Sequence, residues 1–187
     1  MDDRKVSDFI QLAGQNIGED IQSLPHSQRA LGAQLLLSEV LEYIVHGLGL
    51  APVINGQTVT DPNDLKFEPI AEPDKVAMLD GLADTAYTMY WNSLRFGMPL
   101  EKAFEAVCDN NLEKFVRLPH WAGQPRPLES NEWHCNQSVT WPPEVVEVSV
   151  VAVSGSYFAV GKDNRGKVRK PSTYRSVELE KLLKSGA

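Results

Sequence analysis

Apolar residues recur at three- and four-residue intervals through most of the first 118 positions and lose that period at Pro119, so several helices must precede a segment of different character. Val6, Phe9, Ile10, Ala13, Ile17 and Ile21 mark a first helix or helix pair, interrupted around Gly14 and Gly18 and ended by Pro25. Ser27 is placed to cap a second helix carrying Leu31, Leu35, Leu36, Val40, Leu41, Ile44 and Val45, which Gly47 and Gly49 stop. Residues 51–72 read as a long connection of the kind that often covers a site, with Asn55-Gly56 as a turn between Val53-Ile54 and Thr58-Val59. Pro73 suits the first turn of a third helix, running through Val76, Leu79, Leu82, Ala86, Tyr90 and Leu94 to Gly97. A fourth starts near Pro99 and carries Leu100, Phe104, Val107, Leu112 and Phe115. The short Gly97-Met98-Pro99 link predicts that the third and fourth helices pack as antiparallel neighbours.

Between Pro119 and Pro143 five prolines and three tryptophans follow no period, which predicts an irregular excursion packed by aromatics. Val145 to Val153, a Gly155-Ser156 turn and Tyr157 to Val160 predict a β-hairpin, and Ser176 to Leu183 a closing short helix. The expected fold is therefore mainly α. An antiparallel helical bundle would occupy residues 1–118, and a C-terminal extension over 119–187, containing a small β-hairpin, would pack on the same unit.

No apolar run approaches the roughly 20 residues that span a bilayer, and Met1-Asp2-Asp3-Arg4-Lys5 lacks the apolar stretch of a secretory signal, so a cytoplasmic protein without a membrane partner is expected. Cys108 and Cys135 are too few for a disulfide framework. The net charge of −7, with no Lys/Arg block, argues against a nucleic-acid polymer as partner. An acidic chain that handles a polyphosphate needs a cation to screen the repulsion, which directs attention to carboxylates.

Two strings hold them. Glu39-Val40-Leu41-Glu42 places two carboxylates three apart, and Asp80-Gly81-Leu82-Ala83-Asp84 places two four apart; each pair shares a helix face, with Tyr87 one turn beyond Asp84. Both strings sit among apolar residues. Burying four unpaired carboxylates costs several kcal/mol per charge, and a divalent cation removes that cost. Oxygen-only ligation points to Mg²⁺, with Mn²⁺ as substitute, rather than zinc. One such pair is common on any solvated helix face, so spacing alone leaves a surface acid face open beside the metal site. Trp91, Asn92 and Phe96 follow the second string and offer a base pocket or ordinary core aromatics.

At these residues the chain resembles the MazG-like, all-α nucleoside triphosphate pyrophosphohydrolases, a superfamily that includes dimeric dUTPases and phosphoribosyl-ATP pyrophosphohydrolase. Val6-Ser7-Asp8-Phe9 with Gly14-Gln15 resembles the N-terminal helix of a phage and bacterial branch, Ser38 to Glu42 the first metal motif, and Asp80 to Asp84 with Tyr87 the second. Asn111-Leu112-Glu113-Lys114 resembles the Asn-x-x-Lys string that follows, and Gly166 to Pro171 with Tyr174 resembles that branch's tail motif. The resemblance implies a Mg²⁺-dependent hydrolase converting a (d)NTP to the monophosphate and pyrophosphate. Glu39, Glu42, Asp80 and Asp84 would hold metal, with Glu39 and Glu42 catalytic. Asn111, Lys114, Lys170, Tyr174, Tyr87 and Asn92 would bind substrate. It further implies a homodimer or homotetramer, in a host cytoplasm if the gene is a phage's.

The chain departs from the family pattern at Ser38, where a leading acid is common, and at Gly81, three residues before Asp84, where an acid is common and Asp80 lies one position earlier. Residues 119–165 separate Lys114 from Lys170 by more than a minimal family domain needs. A phosphoribosyl-ATP hydrolase and a noncatalytic nucleotide-binding or assembly module remain alternatives. His120, His134 and Cys135 fit no four-ligand zinc spacing, and Gly161 to Gly166 resembles a hairpin tip rather than a phosphate loop.

Overall fold

The computed structural model describes residues 3–135 and 138–184. Among them are five α-helices, α1 (Arg4–Leu12), α2 (His26–Glu42), α3 (Lys75–Arg95), α4 (Leu100–Leu112) and α5 (Glu180–Lys184). Strands β1 (Val53–Ile54) and β2 (Gln57–Thr58) form one antiparallel pair. Strands β3 (Val116–Arg117), β4 (Val145–Val153) and β5 (Ser156–Asp163) form an antiparallel sheet in the order β3-β5-β4. The chain divides into two compact units, one made of Met1–Ile17 and Thr85–Ala187 and the other of Gly18–Asp84.

The helical bundle expected from the sequence is not what forms. The fold is mixed, and its main core belongs to the sheet, where Val148, Val150 and Ala159 are buried with Leu118, Leu128 and Val139. Valine supplies six of the nine residues of β4, and β-branched side chains pack well on a pleated surface. A bulge between Val145 and Glu147 resets the alternation so that Val148 and Val150 both face inward. Ser154 and Gly155 take positive φ at the tip, as a tight hairpin turn requires. Residues 119–135 and 138–143 are the aromatic-packed irregular stretch: Trp121, Trp133 and Trp141 cover this core, with the Trp133 indole N–H donating to the Leu128 carbonyl at 3.1 Å and that of Trp141 to the Trp133 carbonyl at 3.0 Å.

A smaller core gathers Leu12, Phe115, Val153 and Val160, with Phe9 set edge-on to Phe115 at a ring separation of 5.2 Å. Here α1 packs on α4 and on β4. The expected α3–α4 pairing is correspondingly weak, because α4 has its closest packing on α1 and the two helices diverge from their Gly97 link. The first helix is also shorter than its apolar pattern, since Gly14 adopts φ 76° and ends it. Pro25, expected as a terminator, instead occupies the N-cap of α2, and Asp74 caps α3 by accepting from the Val76 and Ala77 N–H groups at 2.8 and 3.2 Å.

In the Gly18–Asp84 unit burial is sparse. Leu41, 3% exposed, is the one buried hydrophobic residue of that unit among the described residues, whereas Leu35 is 59% and Leu82 56% exposed. Leu35, Leu36 and Leu37 occupy successive positions about 100° apart, so α2 carries apolar residues around its circumference rather than along one stripe. The 51–72 connection is pinned to α2 where Gln34 Nε2 donates to the Pro62 carbonyl at 2.9 Å. No described helix is long and apolar enough to cross a membrane.

Gly161 has a demanding place on β5. A Cβ there would lie 2.4 Å from Trp141 Cε3, so the indole can close over the sheet only while position 161 lacks a side chain. Gly161→Ala is expected to lower unfolding stability by about 1–3 kcal/mol. A denaturant midpoint equal to that of the parent chain would contradict this packing.

Candidate functional site

Glu39 and Glu42 lie on the last turn of α2, and Asp80 and Asp84 lie on α3, each pair on one helix face by its spacing. All four carboxylates are exposed. The two pairs do not converge in a single chain: among the described residues, no three His, Cys, Asp or Glu side chains are grouped to hold a metal ion. The expectation that these acids are buried, and so need a cation to be tolerated, is corrected by their exposure. What each pair retains is a two-carboxylate face whose oxygen donors have the right chemistry for Mg²⁺.

Apolar surface adjoins both acid pairs. Leu35 and Leu36 stand one turn before Glu39, and Val76 one turn before Asp80; all three are exposed. Ser38 is occupied within the helix: its hydroxyl donates to the Gln34 carbonyl at 2.6 Å and accepts from Gln34 Nε2 at 3.3 Å. Directly after Glu42 the helix widens into a π-helical turn over Tyr43–Gly47, in which the Leu48 N–H reaches the Tyr43 carbonyl at 3.0 Å. Such turns are rare and concentrate at functional sites. Gly47, read from the sequence only as a helix stop, lies in this turn, where an added Cβ would meet the Tyr43 ring at 3.2 Å.

The substrate-binding candidates beyond Thr85 fall into two groups. Asn111, Lys114, Lys170 and Tyr174 are drawn to the C-terminal end of α4. Lys114 Nζ donates to Asn111 Oδ1 at 2.6 Å and lies 5.4 Å from the centre of the Phe9 ring. The tail returns to the same helix end, where the Tyr174 hydroxyl donates to Asn110 Oδ1 at 2.5 Å and the Asn110 amide donates to the Arg175 carbonyl. Lys170 stacks over the Tyr174 ring at 4.4 Å. Cations at a helix C-terminus are favoured by its dipole, so this end of α4 holds two lysines at little electrostatic cost. Tyr87 and Asn92 stand apart on α3: Tyr87 is exposed, and the Asn92 amide donates to the Thr88 carbonyl at 2.8 Å.

Asp163 fixes the approach to the tail. Burial pushes its carboxyl up, but the Lys167 and Arg165 N–H groups and the Arg169 guanidinium, 2.8 Å away, together hold it below its ordinary value.

A cavity of about 220 Å³ that the sequence motifs do not announce lies over the tryptophan core, with His120, Trp121, Glu132, His134 and Cys135 in its lining. Its geometry brings together the two histidines and the cysteine that sequence spacing left unconnected, yet they form no metal-holding group among the described residues. Arg126 braces it, lying 5.2 Å from the Trp121 ring and forking onto Glu132 at 2.6 and 2.8 Å.

No protein-family model, curated protein or solved structure matches the chain.

Two outcomes follow from these contacts. Tyr174→Phe should detach the tail from α4, seen as at least a several-fold rise in amide exchange over residues 170–176 with α4 unchanged; unchanged exchange would mean that Asn110 does not anchor it. The second concerns pH. Hydrogen bonds from Arg126 and from the Glu129 N–H hold the Glu132 carboxyl down to about 2. A depressed carboxyl contributes stability that is complete above its unfolded value and lost as pH falls through the folded one. Stability should therefore decline between pH 4.5 and about 2 more steeply in the parent chain than in Glu132→Gln, as followed by tryptophan fluorescence. Parallel acid titrations would contradict the assignment.

Proposed function

We propose that this protein is a divalent-metal-dependent nucleoside triphosphate pyrophosphohydrolase, releasing pyrophosphate from a (d)NTP, and that its acidic site is completed by association of chains as a homodimer or homotetramer. The observation that carries this is the pairing of acids with uncovered apolar surface on α2 and α3: Glu39 and Glu42 beside Leu35 and Leu36, Asp80 and Asp84 beside Val76. Covering those faces with a second copy would withdraw the carboxylates from water, and like charges so placed call for a cation.

A Mg²⁺ ion held there supplies charge neutralisation of phosphate oxygens and a more acidic water. On this reading the chain's own groups would act as follows. Glu39 or Glu42 accepts the proton of the attacking water as its oxygen bonds to the α-phosphorus; the bond from that phosphorus to the bridging oxygen breaks, and pyrophosphate departs with its electron pair. Lys114, oriented by Asn111, and Lys170, steadied on Tyr174, offer positive charge to phosphate oxygens. Tyr87 and Asn92 remain candidates for contact with base or sugar.

A second reading, a noncatalytic nucleotide-binding or assembly module, is favoured by one observation: the four acids are exposed and separate in a single chain. Phosphoribosyl-ATP hydrolysis is the other substrate within the enzymatic reading.

Purified protein should release pyrophosphate from at least one canonical or modified nucleotide, or from phosphoribosyl-ATP, only when Mg²⁺ or Mn²⁺ is present. Glu42→Gln should lower kcat by about 10²-fold or more. Nucleotide binding without turnover across the whole panel would select the noncatalytic module, and a fully active Glu42→Gln would remove Glu42 from the reaction.

A further inference from the structure

In the unit that carries the sheet, α4 and the end of α3 diverge around an open groove of about 450 Å³. Its walls are apolar, with Met89 and Tyr90 from α3 and Leu100 and Phe104 from α4; Glu101 and Glu105 stand on the α4 rim. Lys5 reaches in from α1 but is held by Asp109 at 2.5 Å and lies 3.8 Å from Glu105, so the rim keeps a negative surplus.

The C-terminal segment has the complementary character. Over α5 and the residue before it, Leu179 and Leu183 lie one turn apart and are exposed, Leu183 by 54%, while Lys181 and Lys184 flank them. The stripe of leucine with lysine at its edge matches a groove of methionine and phenylalanine with glutamate at its edge. We infer that this groove receives the C-terminal segment, residues 179–184, of a second copy of the chain, with Leu179 and Leu183 between α3 and α4 and Lys181 and Lys184 against Glu101 and Glu105.

A second copy is favoured over the chain's own tail by the position of the anchor. At about 100° per residue, Glu101, Phe104, Glu105 and Cys108 share one side of α4, whereas Asn110 is about 170° and Glu113 about 130° away around the helix. Those two residues are where the tail is fastened: the Tyr174 hydroxyl and the Arg175 carbonyl meet Asn110, and the Arg175 N–H donates to Glu113 Oε2 at 3.3 Å. From Arg175 to Leu179 the chain can span about 14 Å when fully extended. A path over the outside of a helix about 10–12 Å across, to its far side, needs roughly 20–25 Å. The tail is thus tied to the wrong side of its own α4 and too short to come round.

This inference needs no catalysis, and its readout is independent of nucleotide turnover. The test uses the whole unmodified chain, prepared in ordinary and in ¹⁵N-labelled form, mixed, and treated with a carbodiimide that joins carboxylate to amine only in ion-pair contact. Mass spectrometry should find Glu101 or Glu105 joined to Lys181 or Lys184 in mixed-isotope peptides, while the intrachain Glu178–Lys181 pair gives single-isotope links as an internal control. Leu183→Asp should reduce the mixed links at least five-fold without changing the thermal melt, since Leu183 is exposed. Links at these positions found only as single-isotope species, or their absence while the control links form, would overturn the proposal.

Discussion

Apolar surface that the chain does not itself cover is the constraint on which the rest of the molecule turns. Ordering the backbone costs about 1–2 kcal/mol per residue, and burial of a leucine returns about 1.5–3 kcal/mol. In the sheet-bearing unit that exchange is made internally, through the valines of β4 and β5 and the tryptophans over them. In the Gly18–Asp84 unit, Leu41 is the single buried hydrophobic residue among those described, so α2 and the first half of α3 order themselves without a core of their own. On the proposed function, the surface that would repair this deficit is also the surface that holds the acids, which ties the stability of the helices to completion of the site.

The sheet-bearing unit owes its order to a few specific fits. Trp141 lies over Gly161, the bulge at Val145 turns Val148 and Val150 inward together, and Phe9 meets Phe115 beneath the start of β3. Each of these also places something downstream. Phe115 fixes the end of α4, and with it Asn110 to Lys114; β5 leads through Asp163 and Arg169 to the tail, which comes back to Asn110. Two segments more than 60 residues apart thereby meet at one helix end, and the residues between them build the core that makes the meeting possible.

Local structure was legible in the sequence where a short-range rule was sufficient. The Asn55-Gly56 turn, the hairpin over β4 and β5, the start of α4 after Pro99 and the aromatic packing of residues 119–143 all follow from turn chemistry, β-branched runs or proline. The helical bundle was not a sound inference, because periodicity reports that a helix has an apolar face and says nothing of what covers it. Leu31, Leu35, Leu82 and Leu94 read as core and are exposed. Gly14, read as a local break, instead ends α1 through its positive φ. For the candidate site, spacing correctly put each acid pair on one helix face, but burial was assumed rather than readable. The meeting of Asn110 with Tyr174 and the cavity beside His120, His134 and Cys135 arise from tertiary contacts that no local pattern encodes.

The most direct test of the central claim, that association completes the acidic site, is a Mn²⁺ titration followed by electron paramagnetic resonance on the parent chain and on Leu35→Asp, with sedimentation run on the same samples. Leu35 touches no proposed ligand role and is exposed in the single chain, so the substitution should disturb assembly while leaving the sheet-bearing unit folded. The account predicts that Leu35→Asp sediments as a smaller assembly than the parent, losing the association made through the α2 face, and loses Mn²⁺ binding with it. Mn²⁺ bound by that smaller assembly with the affinity and stoichiometry of the parent would contradict it.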